Sequence, residues 1–294
     1  MVLPGNLSKW KSEGNYFTYK GNKIFYKDTK ESEKDVVLLL HGYPTSSYDY
    51  HKIWEQLSYK YRLISPDFLG FGFSDKPRNY DYKIADQTEM INCLLTELEI
   101  KNIKMIAHNY GAIVGQEVLV HANMGILGFT VEKIIWLNSA LFPELHKPTS
   151  IQKILVSPLS VLVLRLFNEK KFEKNFSILF GKNTKPTKEE IKELWILINY
   201  NNGKQIMGKL LHYISERKQY GKHWVDMLEK TIIPQKLING IADPVSGLPV
   251  VKKYIERIRN AKVVELANIG HYPQIEAPDL VYCSIKEFFN KAQQ

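Results

Sequence analysis

Cysteine is almost absent from this chain of 294 residues, with Cys93 and Cys283 its two members. Two thiols so far apart offer neither a disulfide framework nor metal-ligand spacing. They suit a reducing, intracellular compartment such as the cytoplasm. Long hydrophobic runs are missing too. Met1 to Gly14 is polar and lacks the apolar stretch of a signal peptide. The most membrane-like segment, Ile151 to Phe167, is interrupted by Lys153, Pro158 and Arg165 well short of a span, and reads as a buried or lid helix. No glycine loop that would cradle phosphate and no ligand cluster is present, so neither an organic cofactor nor a metal is expected. Internal repeats and low-complexity segments are also lacking, which leaves an ordinary globular domain.

Basic residues outnumber acidic ones by 40 to 31, a formal charge of +9. That excess invites a nucleic-acid reading, but the lysines are dispersed and no nucleic-acid motif appears. Nucleic acid is therefore not an expected partner. A weak peripheral contact with anionic membranes is the most the charge supports.

What is present is an alternation of short apolar runs and helical spacings. Tyr16-Phe17-Thr18-Tyr19 and Lys23-Ile24-Phe25-Tyr26 flank Gly21-Asn22 as a β-hairpin. Asp35 to Leu40 is continuously apolar after its first residue, the mark of a central strand covered on both faces. Further strands are expected at 61–65, 103–108, 133–138, 235–239 and 262–266, with helices near 50–59, 84–98 and 280–290. This rhythm predicts an α/β fold built on a doubly wound, mostly parallel sheet. Between about Leu141 and Asp226 the pattern is mainly helical, with a polar break at 181–188. Residues 1–140 and 227–294 are thus expected to form the core, and 141–226 an inserted helical cap.

The stretch Lys104 to Gly115 carries the chemistry. A strand runs into a tight turn and straight into a helix, with small residues Ala107 and Gly111 on either side of Asn109. This is the layout of a nucleophile elbow, which holds one side chain exposed above a sheet. Downstream, Asp243 follows one strand and His271 the next. Nucleophile, acid and histidine in that order is the arrangement of α/β hydrolases, whose working groups meet at the carboxyl ends of the strands. His41-Gly42-Tyr43-Pro44 follows the first central strand, and the backbone N–H groups of Tyr43 and Tyr110 are the expected oxyanion hole. Asp67 and Asp75 are expected to shape their glycine-rich loop, and His108 and Asn138 to hold backbone, rather than react.

The run HGYPTSSYDY at 41–50, DFLGFGFSDKP at 67–77 and the elbow together resemble the epoxide hydrolase and haloalkane dehalogenase branch of the α/β hydrolases. The likeness extends through 142–148 and 213–218 to His271–Glu276, nearly the whole chain. It implies a carboxylate at the elbow that attacks carbon, a histidine (His271) that activates water on the resulting ester, and an acid (Asp243) that orients the imidazole. It also places Tyr213 where a cap tyrosine protonates the opening epoxide oxygen. Tyr43 and Tyr110 stand where dehalogenases often carry Asn and Trp, which counts against dehalogenation. Association with the endoplasmic reticulum is implied by the resemblance alone.

Asn109 departs from the branch at its central position, since a neutral amide oxygen is a far poorer nucleophile than a carboxylate. Three accounts fit the sequence: an engineered replacement of aspartate, a natural member that binds without hydrolysing, or an amide that deamidates with help from His271. Two functions follow. One is a hydrolase of small epoxides or esters, for which retention of Asp243 and His271 speaks. The other is a non-catalytic binder of an apolar ligand, for which Asn109 speaks. Leu159, Leu162, Leu164, Phe167 and Trp195 are expected to line or cover the pocket, implying a small, uncharged, apolar substrate.

Overall fold

The computed structural model describes residues 3–145, 164 and 166–291. It opens with helix α1 (Gly5–Ser12), then the hairpin β1 (Gly14–Tyr19) and β2 (Asn22–Asp28). There follow β3 (Val36–Leu40), α2 (His51–Ser58), β4 (Arg62–Pro66), α3 (Ile84–Glu97), β5 (Asn102–His108), α4 (Tyr110–Asn123) and β6 (Thr130–Leu137). The last strands are β7 (Gln235–Gly240) and β8 (Lys262–Leu266), and a helix at Pro278–Asn290 follows them. The eight strands form one sheet in the order β1-β2-β4-β3-β5-β6-β7-β8. The β1–β2 and β2–β4 pairs are antiparallel and every other pair is parallel. The α/β class and the mostly parallel sheet match the expectation.

The apolar run of β3 shows why its strand is central. Leu38 and Leu40 belong to the hydrophobic layer on one face, Val37 and Leu39 to the layer on the other, and all four are fully buried. A period of two with apolar residues at both phases requires cover on both sides. Helices α3 and α4 pack on one face, α2 and the Pro278–Asn290 helix on the other.

Lysines in the middle strands reach the opposite end of the sheet from the site. Lys104 pairs with Asp35 at 2.7 Å and Glu132 at 3.1 Å. Lys133 donates to the carbonyls of Phe288, Phe289 and Lys291 at 3.3, 3.1 and 2.5 Å. Those carbonyls end the Pro278–Asn290 helix, where unsatisfied acceptors and the helix dipole favour a cation.

Between β6 and β7 the described residues are mainly helical, with helices at Glu169–Ser177, Lys188–Asn199, Met207–Leu210 and Tyr213–Lys230. Thr187 and Glu190 form a capping box that starts the second of these after the expected polar break. The last runs through residue 226 to Lys230 and packs on α4, so its inner face looks onto the elbow helix. Leu159 and Leu162, and most of the 151–167 run, lie outside the described residues.

Candidate active site

Because β3, β5, β6, β7 and β8 run parallel, their carboxyl ends share one edge of the sheet. The loops just beyond them bear His41, Asn109, Asn138, Asp243 and His271. At the elbow, Asn109 adopts φ 48° and ψ −108°, a backbone state that costs an ordinary residue about 1–3 kcal/mol. Gly111 permits it by close approach: a Cβ there would sit 2.4 Å from the Leu40 carbonyl oxygen. Its N–H donates to the His41 carbonyl at 2.9 Å, which locks α4 against the end of β3.

A continuous chain of hydrogen bonds joins the three positions expected from the sequence. His271 Nδ1 lies 2.6 Å from Asp243 Oδ2, and His271 Nε2 lies 2.9 Å from the Asn109 side-chain nitrogen. A carboxylate accepts only, so Nδ1 carries the proton and Nε2 presents its lone pair. The Asn109 Nδ2–H therefore donates to Nε2, while its Oδ1 accepts the Tyr43 N–H at 3.0 Å. Asn109 keeps partial exposure, whereas His271 and Asp243 are buried. Tyr110 opens α4, so its N–H is among those a helix leaves without an internal acceptor.

Asp243 is tightly held. Its Oδ2 also accepts from Asn138 Nδ2 at 2.9 Å and Ser246 Oγ at 2.5 Å, and its Oδ1 accepts the Val245 N–H at 2.7 Å. Burial alone would raise its pKa. His271, the Ser246 hydroxyl and the Val245 amide together outweigh burial and hold the carboxylate below its ordinary value. Asn138 spans the gap to β7, accepting from the Gly240 N–H at 2.7 Å and donating to the Gly240 carbonyl at 3.0 Å. His108, buried behind the elbow, donates from Nε2 to the His271 carbonyl at 2.8 Å. Burial lowers the His108 pKa, which keeps its ring neutral. Both residues hold backbone, as expected. So does Asp67, which accepts the Ser47 and Phe73 N–H groups at 2.7 and 2.6 Å.

A cavity opens on Asn109. Its walls include Tyr110, Ala140, Val245 and, from the helix above, Tyr213 and Arg217. Tyr213 and Arg217 are four residues apart, so they share a helix face one turn from each other. Burial pushes the Tyr213 hydroxyl up to about 12, against the opposing influence of Arg217. Trp195 stands behind the cavity wall. It is not among the residues lining this cavity, but packs on Phe167 and Phe172 with ring centroids 5.8 and 5.7 Å away. Phe172 continues to Phe176, and Phe176 to Tyr272, each at 4.9 Å. Trp195 thus backs an aromatic wall that ends beside His271. Leu164 and Phe167 are buried, as a covering role requires.

Two contributors escaped the sequence reading. Ser246 is signalled only by its place three residues after Asp243, a common turn spacing. Asp49 lies in the 41–50 run, fully buried, and accepts from Thr45 Oγ1 at 2.6 Å. Among the described residues, no group of three or more His, Cys, Asp or Glu is placed to hold a metal ion, and no helix is long and apolar enough to cross a membrane.

This sheet, with an elbow between β5 and α4 and a helical insertion between β6 and β7, is that of the alpha/beta hydrolase fold family, whose profile matches residues 35–278; the chain belongs to that family. It is 39% identical over 282 residues to the mesoderm-specific transcript protein of Mus musculus, covering 92% of this chain and 84% of that one. Epoxide hydrolase 1 of Caenorhabditis elegans is 24% identical over 310 residues, covering 99% of this chain and 73% of that one. Among solved structures, haloalkane dehalogenase DbeA from Bradyrhizobium elkani USDA94 superposes with a TM-score of 0.77 at 19% identity, covering 93% of this chain and 96% of that one.

Proposed function

We propose that this chain is a hydrolase of small, mostly apolar epoxides or esters, working through position 109, His271 and Asp243, with its covalent step silenced by Asn109. The observation that carries this reading is the unbroken line from Asn109 through His271 to Asp243. A binder without chemistry has no need of a buried carboxylate oriented on a histidine.

With a carboxylate at 109, the sequence of steps is as follows. A carboxylate oxygen attacks an epoxide carbon, the ring C–O bond breaks, and the Tyr213 hydroxyl gives its proton to the departing oxygen. The resulting ester is attacked by a water that His271 Nε2 deprotonates. The Tyr43 and Tyr110 N–H groups stabilise the tetrahedral oxyanion; on collapse the ester C–O bond breaks, His271 returns its proton to the departing alkoxide to release the diol, and the acid proton left at position 109 goes back through solvent to the Tyr213 oxygen. Residues 141–226 act as the cap that covers this step. An amide at 109 forfeits the attack, a loss of several orders of magnitude in rate.

A second reading has its own support. The Asn109 amide is satisfied at both ends, by His271 and by Tyr43, so the chain as written holds a stable, neutral site suited to ligand binding. The deciding experiment is turnover of a panel of small epoxides and esters by the protein as written and by Asn109→Asp, each verified by intact mass. Turnover by the Asp variant alone is expected. No turnover by either would overturn the hydrolase reading in favour of the binder, and turnover by the unaltered protein with an amide-to-acid mass gain would mean self-repair.

A further inference from the structure

Arg217 is 5% exposed and lines the cavity beside Asn109. One of its five N–H donors goes to the carbonyl of Ala140 at the end of β6. Among the described residues, no carboxylate lies within ion-pair distance of its guanidinium. Glu144, the nearest acidic influence, is half-exposed and paired with Arg257 at 3.8 Å. Glu216, its neighbour in sequence, accepts the Ile84 N–H at 3.2 Å instead. A cation taken out of water without a counter-charge costs several kcal/mol, even when some hydrogen bonds remain. Helix Tyr213–Lys230 nonetheless sets this one against the cavity wall, one turn from Tyr213.

We infer that Arg217 is an anion subsite, and that the natural ligand of this pocket is a small, largely apolar molecule bearing a carboxylate close to the reacting carbon. The inference rests on the proposed site for its reacting carbon, and on Arg217 alone for its charge. It revises the uncharged substrate expected from the apolar cap residues: their side chains describe the body of the ligand, and Arg217 its head. Burial lowers the Arg217 pKa to about 10, which still leaves the guanidinium fully charged at neutral pH. Two parallel N–H groups of a guanidinium match the two oxygens of a carboxylate, which neither a neutral amide nor a halide reproduces. The residues around Asn109 leave only a small cavity, which favours a short chain over a long one.

The test uses the protein as written, whose Asn109 permits binding without turnover. Butyrate and butyramide have nearly the same shape and differ in charge. By calorimetry or by ligand-observed NMR, butyrate is expected to bind about tenfold or more tighter, the worth of a charge-assisted hydrogen bond. Arg217→Gln should abolish that preference, and Arg217→Lys should keep part of it. Circular dichroism and a melting curve check that each variant folds, and if the Gln variant does not, the Lys variant and the preference of the unaltered protein decide. Equal binding of the two probes, absence of butyrate binding, or a preference that survives in folded Arg217→Gln would overturn the subsite. Neutral epoxides turned over by Asn109→Asp without any carboxylate preference would keep the hydrolase reading and remove the subsite. A preference that depends on Arg217, with no turnover by Asn109→Asp, would do the reverse.

Discussion

The Asn109 side-chain nitrogen lies 2.9 Å from Nε2 of His271, while the oxygen of the same amide accepts the Tyr43 N–H. An amide suits both neighbours at once because it carries a donor and an acceptor. A carboxylate keeps the Tyr43 bond but offers no donor to the lone pair on His271 Nε2. The exchange of one NH₂ group for one oxygen therefore releases the base as well as restoring the nucleophile.

Tyr213 supplies a first prediction. Its hydroxyl, pushed up to about 12 by burial, stays protonated across the working range and can donate. In the Asn109→Asp background, Tyr213→Phe should lower kcat on epoxides by about 10²–10⁴-fold. Steady-state kinetics checks this, and an unchanged kcat would remove Tyr213 from the chemistry.

Asp243 supplies a pH prediction. Its folded pKa lies below the unfolded value, so its ionisation stabilises the fold above the ordinary carboxylate range near 3.9. That contribution is lost as pH falls through the lower folded value. Asp243→Asn should therefore cost about 2 kcal/mol at pH 7 and progressively less in acid. Urea midpoints at neutral and strongly acid pH give the comparison, and a gap that does not narrow would contradict the assignment.

Lys76 carries a shift of opposite consequence. Burial lowers its pKa from 10.5 to about 8, although it donates to the carbonyls of Gly72 and Ser74. Between those two values the unfolded chain binds more protons than the folded one, so stability rises with pH across the window. Lys76→Met should lack that alkaline gain. Denaturation midpoints of the two proteins at pH 7 and pH 10 measure it; parallel pH dependences would count against a half-buried, discharging lysine.

Gly111 is the steric prediction. A Cβ there meets the backbone oxygens of Leu40 and His41 at 2.4 and 2.7 Å, neither of which can swing aside. Gly111→Ala should cost about 1–3 kcal/mol in unfolding free energy. Wild-type stability in that variant would mean that α4 has slack against β3.

Much of the site was legible before the fold because elbow chemistry is local. A positive φ at residue 109 with a glycine two residues on leaves a mark in sequence, as do a carboxylate and a histidine just past strands. Elements held by distant partners left none. Helix α1 has just Leu7 and Trp10 as buried residues, and its place depends on Trp10 meeting Trp54 at 5.0 Å and Ser47 at 3.3 Å. The helix Leu248–Arg257 went unread for a similar reason, with Val250, Val251 and Tyr254 its only buried residues. Trp195 is expected to line or cover the pocket because large apolar cap residues often do, and only the fold shows that it does so through the Phe167 and Phe172 rings. Arg217 is the sharpest case. Nothing in a sequence with 40 Lys and Arg marks Arg217 as one buried beside the cavity, since burial is a property of the packed helix and not of the residue.

The chain of bonds from Asn109 to Asp243 also has a history in time. His271 follows Asn109 by 162 residues, with the cap helices between them. At ordinary rates of synthesis, His271 leaves the ribosome roughly ten to thirty seconds after the elbow has done so. For most of that interval Asn109 and the end of β5 have neither β7 nor β8 to complete the sheet beside them. The pocket is thus among the last parts of the molecule to exist, and any ligand can meet only a finished protein.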